Sequence, residues 1–98
     1  MEKHVPHCRL SRVKQLVAAG QVRTTHSARA GASDLGLTLD GMLQVVMGLN
    51  VADFYKSMTT HADHAIWQDV YRPVTPHGCL YVKLTVIEDV LIVSFKER

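Results

Sequence analysis

The spacing of apolar residues changes along the chain from a helical period in the first half to a strand period in the second. Val13, Leu16 and Val17 recur at the spacing of one helix face. We expect Ser11 to cap the start of this helix and Gly20 to end it, because serine accepts a hydrogen bond from the first turn and glycine tolerates the left-handed exit.

Two more short helices are expected before the midpoint of the chain. One lies within residues 25–35, and the next begins at Thr38 or Asp40 and runs to Gly48. Residues 50–53 read Asn-Val-Ala-Asp, the spacing of a variant capping box, and predict one further helical turn.

From residue 54 onwards, apolar and polar positions alternate as in strands. We expect four strands, at Phe54–Thr60, Ile66–Val74, Cys79–Ile87 and Val90–Lys96. Helices followed by an antiparallel sheet predict an α+β class, with short N-terminal helices packed on one face of a mainly antiparallel C-terminal sheet. A chain of 98 residues suits one domain, residues 1–98.

The last hairpin has the clearest alternation and sets the expected core. Its predicted inward face consists of Leu80, Val82, Leu84, Val86, Leu91, Val93 and Phe95. A loop of two or four residues centred on Glu88-Asp89 would place Tyr81 directly opposite Lys96, whereas an odd loop would not. Glu-Asp is not a favoured two-residue turn, so we predict the four-residue loop.

A second set of positions gathers on the outward face of the sheet. A four-residue loop at Thr75–Gly78 would put Arg72 beside Tyr81. Periodicity leaves open which face of the two preceding strands is buried, although it separates Tyr55 from Lys56. The outward face could then carry Lys56, Gln68, Arg72, Tyr81, Lys83 and Lys96. Such a cationic surface with few acids suits a phosphodiester.

Composition bounds the function only loosely. Eleven Lys and Arg against nine Asp and Glu give a net charge of +2, so any nucleic-acid surface must come from clustering rather than from total charge. The first twelve residues hold no apolar run typical of a signal peptide, and the longest apolar stretch, residues 45–52, is too short to span a bilayer. We therefore expect a cytoplasmic protein with free thiols at Cys8 and Cys79.

Three segments closely resemble the motility quorum-sensing regulator (MqsR) toxins, and the resemblance extends over essentially the whole chain. They are PHCRLSRVKQLVAAGQVRTT, DFYKSMTTHADHAIWQDVYRP and LTVIEDVLIVSFKER, with DFYKSMTT and IWQDVYRP the most specific parts. The resemblance implies a RelE-like ribonuclease toxin fold and a metal-independent endoribonuclease that cleaves mRNA near GCU triplets. It also implies a type II toxin–antitoxin pair, whose MqsA-like antitoxin binds zinc and reads DNA through a helix-turn-helix.

The resemblance also assigns residues. It places the family's catalytic positions on Lys56, Gln68, Tyr81 and Lys96. It further suggests RNA contacts at Tyr55, Met58 and Arg72, to which the outward-face argument adds Lys83. The chain departs from the family mainly in HSARAGASDLG and VTPHGC, and these departures bear on substrate preference and antitoxin contacts rather than on the chemistry.

Metal-free RNA cleavage uses the adjacent 2′-hydroxyl as nucleophile, so the site must move protons and stabilise a crowded phosphate. We expect Tyr81 to transfer the proton, because cationic neighbours favour its phenolate, and Lys56 and Lys96 to stabilise the phosphate. Gln68 would orient the ribose or phosphate. The residue pattern does not separate the general base from the general acid.

Other interpretations remain open at this point. Without the resemblance, an exposed sheet face with Lys and Tyr is most often merely solvated. A non-catalytic binding module, or a co-regulator that alters the antitoxin's hold on its operator, would also fit the pattern. A histidine-based ribonuclease using His64 or His77 is the main chemical rival. His61-x-x-His64 lacks partner ligands, so no metal and no cofactor are expected, and nothing predicts direct DNA binding.

Overall fold

Three short helices precede most of the sheet in the computed structural model, which describes residues 1–98. The helices are α1 (Leu10–Ala18), α2 (His26–Asp34) and α3 (Leu39–Met47), followed by a 3-10 turn at Val51–Asp53. The strands are β1 (Glu2–Lys3), β2 (Val22–Thr24), β3 (Phe54–Thr59), β4 (Trp67–Tyr71), β5 (Val74–Thr75), β6 (Gly78–Val86) and β7 (Val90–Glu97). The predicted α+β class is confirmed.

Helix α1 begins earlier than the sequence pattern predicted. Arg9, not Ser11, is the capping residue, and its backbone carbonyl accepts hydrogen bonds from the N–H groups of Arg12 and Val13 at 3.0 and 3.2 Å. The reason is that the apolar stripe extends back to Leu10, which is buried with Val13 against the sheet. Burial of one more apolar residue therefore outweighs the better capping chemistry of serine.

The other helical starts follow their capping residues. The Thr25 hydroxyl accepts the N–H of Ala28 at 3.0 Å, and the Thr38 hydroxyl accepts that of Gly41 at 3.2 Å. Of the two predicted starts for α3, the threonine is therefore correct. The capping box at residues 50–53 is also present, with a carboxylate-to-backbone bond of 2.8 Å.

The strands form one sheet in the order β1-β3-β4-β6-β7-β2, with β5 paired to the start of β6. All neighbours are antiparallel except β2 and β7, which are parallel. Strands β1 and β2 were not predicted, because two or three residues are too few to show alternation, and β5 was predicted only as the end of the strand at 66–74. The predicted strand at 66–74 is divided where the N–H of Arg72 turns to the Asp53 carbonyl at 2.7 Å and Pro73 offers no N–H.

The turn before β6 is tighter than predicted but keeps its register. Val74 pairs with Cys79 and Thr75 with Gly78, which leaves Pro76 and His77 as the turn. Extending the hairpin by one pair shortens the loop from four residues to two without changing which residues are opposite each other. The predicted register between β4 and β6 is confirmed.

The β6–β7 loop contains three residues, 87–89, so the prediction of a two- or four-residue loop is wrong. An odd loop alone would separate Tyr81 from Lys96. A bulge in β7 at Val93 inserts one extra residue and restores the register, so Tyr81 and Lys96 are direct partners as predicted.

The same bulge corrects the predicted core. Val90, Ile92 and Phe95 are the buried residues of β7, whereas Leu91 and Val93, predicted to point inwards, are only half-buried. One inserted residue reverses the inward and outward positions on the loop side of the bulge. Alternation along β6 has no interruption, and its inward residues were predicted correctly.

The three helices cover one face of the sheet and bury a single cluster of side chains. Its sixteen members are Leu10, Val13, Leu16, Val17, Ala28, Ala32, Met42, Val46, Leu49, Tyr71, Leu80, Val82, Leu84, Val90, Ile92 and Phe95. The opposite face of the central strands carries no helix and is therefore open for function. No helix has the length and hydropathy that crossing a membrane would require.

Candidate functional site

The open face of the sheet carries side chains in rows that run across the strands. The first row contains Arg72, Tyr81 and Lys96. Tyr81 and Lys96 are paired residues, and the Lys96 Nζ lies 5.3 Å from the centre of the Tyr81 ring. The β4–β6 register continues past Tyr71 to a bond between the Leu80 N–H and the Pro73 carbonyl at 2.9 Å, which places Arg72 opposite Tyr81.

The second row crosses four strands through Lys56, Val70, Lys83 and Ser94, each the register partner of the next. Val70 is fully buried yet does not belong to the helix-side core, because it lies on the open face among lysine stems. Burial lowers the pKa of Lys83, and the nearby charge of Lys96 lowers it further. This row therefore combines an apolar floor with crowded cations.

Gln68 lies in a third row with its partner Met58. In the β4–β6 register this row continues to Thr85, whose hydroxyl donates to the Trp67 carbonyl at 2.6 Å. Thr85 is four residues from Tyr81 along β6, and a strand rises about 3.3 Å per residue, so Gln68 lies roughly 13 Å from the first row. Gln68 shares the face with the other residues but is not beside the Tyr81–Lys96 pair.

Tyr55 reaches this face through a bulge. Strict alternation put it opposite Lys56, but the β3–β4 register shifts between Phe54 and Lys56 and leaves Tyr55 as the extra residue. Its ring centre lies 4.4 Å from the Arg72 Cζ and 5.4 Å from the Lys56 Nζ. Both are cation–π contacts, so the expectation from alternation is wrong and a bulge is the reason.

The charges on this face are nearly all positive. Lys56, Arg72, Lys83 and Lys96 are cations, and the one carboxylate that contacts them belongs to Glu2 of β1. The Glu2 Oε1 lies 2.6 Å from the Lys56 Nζ, and this hydrogen bond raises the pKa of Lys56 and lowers that of Glu2. Sequence reasoning missed Glu2 because no periodic signal connects a two-residue strand to the middle of the chain.

The other aromatic residues and His77 lie away from the Tyr81–Lys96 pair. Phe95 is buried and Phe54 packs against the core. Trp67 is covered by the N-terminal segment, with the His7 ring stacked at 5.6 Å. His77 borders a groove beside α3, away from the open face. Among residues 1–98, no group of three or more His, Cys, Asp or Glu side chains could hold a metal ion.

Replacing Lys83 with methionine should stabilise the fold. Folding lowers the pKa of Lys83, so its charged form costs stability below the ordinary lysine value of 10.5, and that cost disappears once the amine is neutral in both states. The variant should therefore unfold at a higher temperature than the wild type at pH 7, and the difference should be smaller near pH 11, where the charge cost is gone. Melting curves of both proteins at the two pH values test this. An equal or lower melting temperature at pH 7 would contradict it.

A helix-backed sheet with an open, cationic face defines this chain as a small α+β protein. The family profile described as "Motility quorum-sensing regulator, toxin of MqsA" matches residues 5–97. The chain is also 65% identical over 98 residues, the full length of both proteins, to the mRNA interferase toxin MqsR of Escherichia coli strain K12. It therefore belongs to the motility quorum-sensing regulator toxin family, which confirms the resemblance recognised in the sequence.

Proposed function

We propose that this protein is the toxin of a type II toxin–antitoxin pair and acts as an mRNA-cleaving endoribonuclease with a RelE-like fold. The family description and the name of the Escherichia coli relative support the activity. The observation that carries the proposal is the pairing of Tyr81 with Lys96 on an open face that also carries Lys56, Arg72 and Lys83. RNA supplies the phosphates that such a face would bind.

In the proposed reaction the 2′-oxygen of RNA attacks the adjacent phosphorus. A bond forms between O2′ and phosphorus, the bond from phosphorus to O5′ breaks, and the proton of the 2′-hydroxyl leaves as O5′ gains one. Tyr81 transfers a proton at this step, and Lys96 and Lys56 stabilise the charge on the phosphate. Arg72, next to Tyr81 in the first row, can hold two phosphate oxygens at once.

We propose that the remaining residues of the rows contact the flanking nucleotides. Adjacent rows are about 6.6 Å apart along a strand, so a single RNA strand that runs parallel to the protein strands meets the rows in turn. Lys83 contacts the phosphate that lies over the second row, and Gln68 orients a ribose or phosphate that lies over the third row. Tyr55 and Met58 contact bases, and together these positions favour GCU sites.

The partner we propose is an antitoxin of the MqsA type, because the family description names its members as toxins of MqsA. Such an antitoxin would bind zinc and read DNA with a helix-turn-helix, neither of which this chain needs to do itself. We expect the toxin to act in the cytoplasm, where its mRNA substrate is translated, and to use no cofactor.

Cleavage of a synthetic mRNA in EDTA tests this function. The purified protein should produce fragments that end in a 2′,3′-cyclic phosphate, with cuts near GCU. A matched RNA with a single 2′-deoxynucleotide at the cleaved position should stay intact there, because it lacks the nucleophile. Binding without any fragments would instead support a non-catalytic binding module, and cutting at the deoxy site would overturn the 2′-hydroxyl mechanism.

A further inference from the structure

The N-terminal segment delivers one carboxylate to an otherwise cationic face. Strand β1 pairs with β3 through Glu2–Met58 and Lys3–Ser57, so its two side chains point to opposite faces of the sheet. Glu2 lies on the open face with Lys56. Lys3 lies on the other face, where its Nζ is 4.1 Å from the centre of the Trp67 ring.

This segment is fixed to the sheet at more than one point. The N–H groups of His7 and Cys8 donate to the two oxygens of the buried Asp69 carboxylate at 3.0 and 3.1 Å. The Thr59 N–H donates to the Met1 carbonyl at 3.0 Å. The position of Glu2 is therefore set by backbone pairing on one side and by a buried anchor on the other.

We infer that Glu2 is a positioning residue for Lys56, an inference that rests on the proposed role of Lys56 in the cleavage site. The Lys56 side chain is 21% exposed and the Glu2 side chain 53%, so the pair stands at the border of the face and remains open to a ligand. An ammonium group has three N–H donors, and Glu2 occupies one, which leaves two for a phosphate. Glu2 thus orients the amine and keeps it charged.

The same carboxylate opposes RNA binding, because it places a negative charge close to a phosphate. Glu2 should therefore affect kcat and KM in different ways, which a merely structural contact would not do. Glu2 raises kcat by holding Lys56 in position and raises KM by repelling the substrate. It also raises the pKa of Lys56, so Lys56 keeps its proton to higher pH than Lys83, whose pKa is lowered.

The substitution Glu2→Gln keeps a similar shape and removes the charge. We expect kcat at pH 7.5 to fall about fivefold, the scale of an exposed ion pair, while KM at low salt falls rather than rises. In a Lys83→Met background, which lacks the amine whose pKa is lowered, the alkaline limit of the pH–rate profile should move to lower pH, because the pKa of Lys56 is no longer raised by the carboxylate. Steady-state cleavage of a fluorescent RNA at several pH values gives all three quantities.

Two other variants separate the outcomes. Glu97→Gln neutralises an exposed glutamate whose partner, Leu80, lies on the helix side of the sheet, and it should leave the profile unchanged. If Lys56→Gln cleaves like the wild type, the proposed site is wrong at Lys56 and the inference fails with it. If Lys56→Gln is inactive but Glu2→Gln matches the wild type in kcat, KM and pH profile, the site stands and the role of Glu2 is refuted.

Discussion

Replacing Tyr81 with phenylalanine should lower the rate of RNA cleavage by about a hundredfold to ten-thousandfold, the usual contribution of a positioned proton-transfer group. The ring stays, so the contact with the Lys96 Nζ at 5.3 Å and the fold should be retained. Only the hydroxyl is lost, and with it the proton transfer. Single-turnover cleavage and RNA-binding titrations measure the two effects separately, and binding should change by less than threefold or so, since the cations of the face remain.

The same substitution at Tyr71 provides the control. Tyr71 lies in the helix-side core, its buried hydroxyl has no hydrogen-bond partner, and burial raises its pKa. Tyr71→Phe removes an identical group without touching the open face, so the cleavage rate should equal that of the wild type. A Tyr81→Phe protein that cuts within severalfold of the wild type would remove Tyr81 from the proton-transfer role.

Uninterrupted alternation along β6 made the outward position of Tyr81 predictable, whereas its pairing with Lys96 was predicted from a loop length that is wrong. The loop length was wrong, yet the pairing held, because the bulge at Val93 adds the residue that an odd loop takes away. A loop and a nearby bulge compensate each other without a local sequence signal. For the same reason the inward residues on the loop side of the bulge, Val90 and Ile92, could not be predicted, whereas Phe95, beyond the bulge, was predicted correctly.

The bulge at Tyr55 shows the limit of alternation more directly. Nothing in the sequence FYKS indicates that the successive side chains of Tyr55 and Lys56 lie together, with the Tyr55 ring against Lys56 and Arg72. The family resemblance named Tyr55 as an RNA contact, although the pattern of the strand put it on the other face. Residue roles at this site came from the resemblance, whereas the shared face of Lys56, Arg72 and Lys83 came from strand periodicity.

Neither strand periodicity nor the family resemblance identified Glu2 as a residue of this face. Strand β1 has two residues and exists because β3 offers it a free edge and Asp69 holds the chain that follows. Such a segment is determined by tertiary contacts rather than by its own sequence pattern. The net charge of +2 likewise gave no sign that the cations gather on one face.

Replacing Asp69 with alanine should destabilise the fold severely. Asp69 is 2% exposed and its carboxylate accepts the N–H groups of His7 and Cys8, so alanine would leave two backbone donors without partners. We expect the free energy of unfolding to fall by about 3 kcal/mol and the melting temperature by more than about 10 °C. Urea titration and thermal melting followed by circular dichroism measure both.

Two further substitutions and the cleavage assay test whether the loss of stability in Asp69→Ala arises from release of the N-terminal segment. Asp69→Asn keeps one acceptor oxygen and should lose about half as much stability. Asp34→Asn changes an exposed acid at the end of α2 and should lose almost none. Because Asp69 anchors the chain that carries Glu2, folded Asp69→Ala protein at low temperature should also have a lower kcat than the wild type, as Glu2→Gln does. If Asp69→Ala has the melting temperature of the wild type, this carboxylate does not hold the N-terminal segment. Asp69 would then not help to position Glu2 against Lys56.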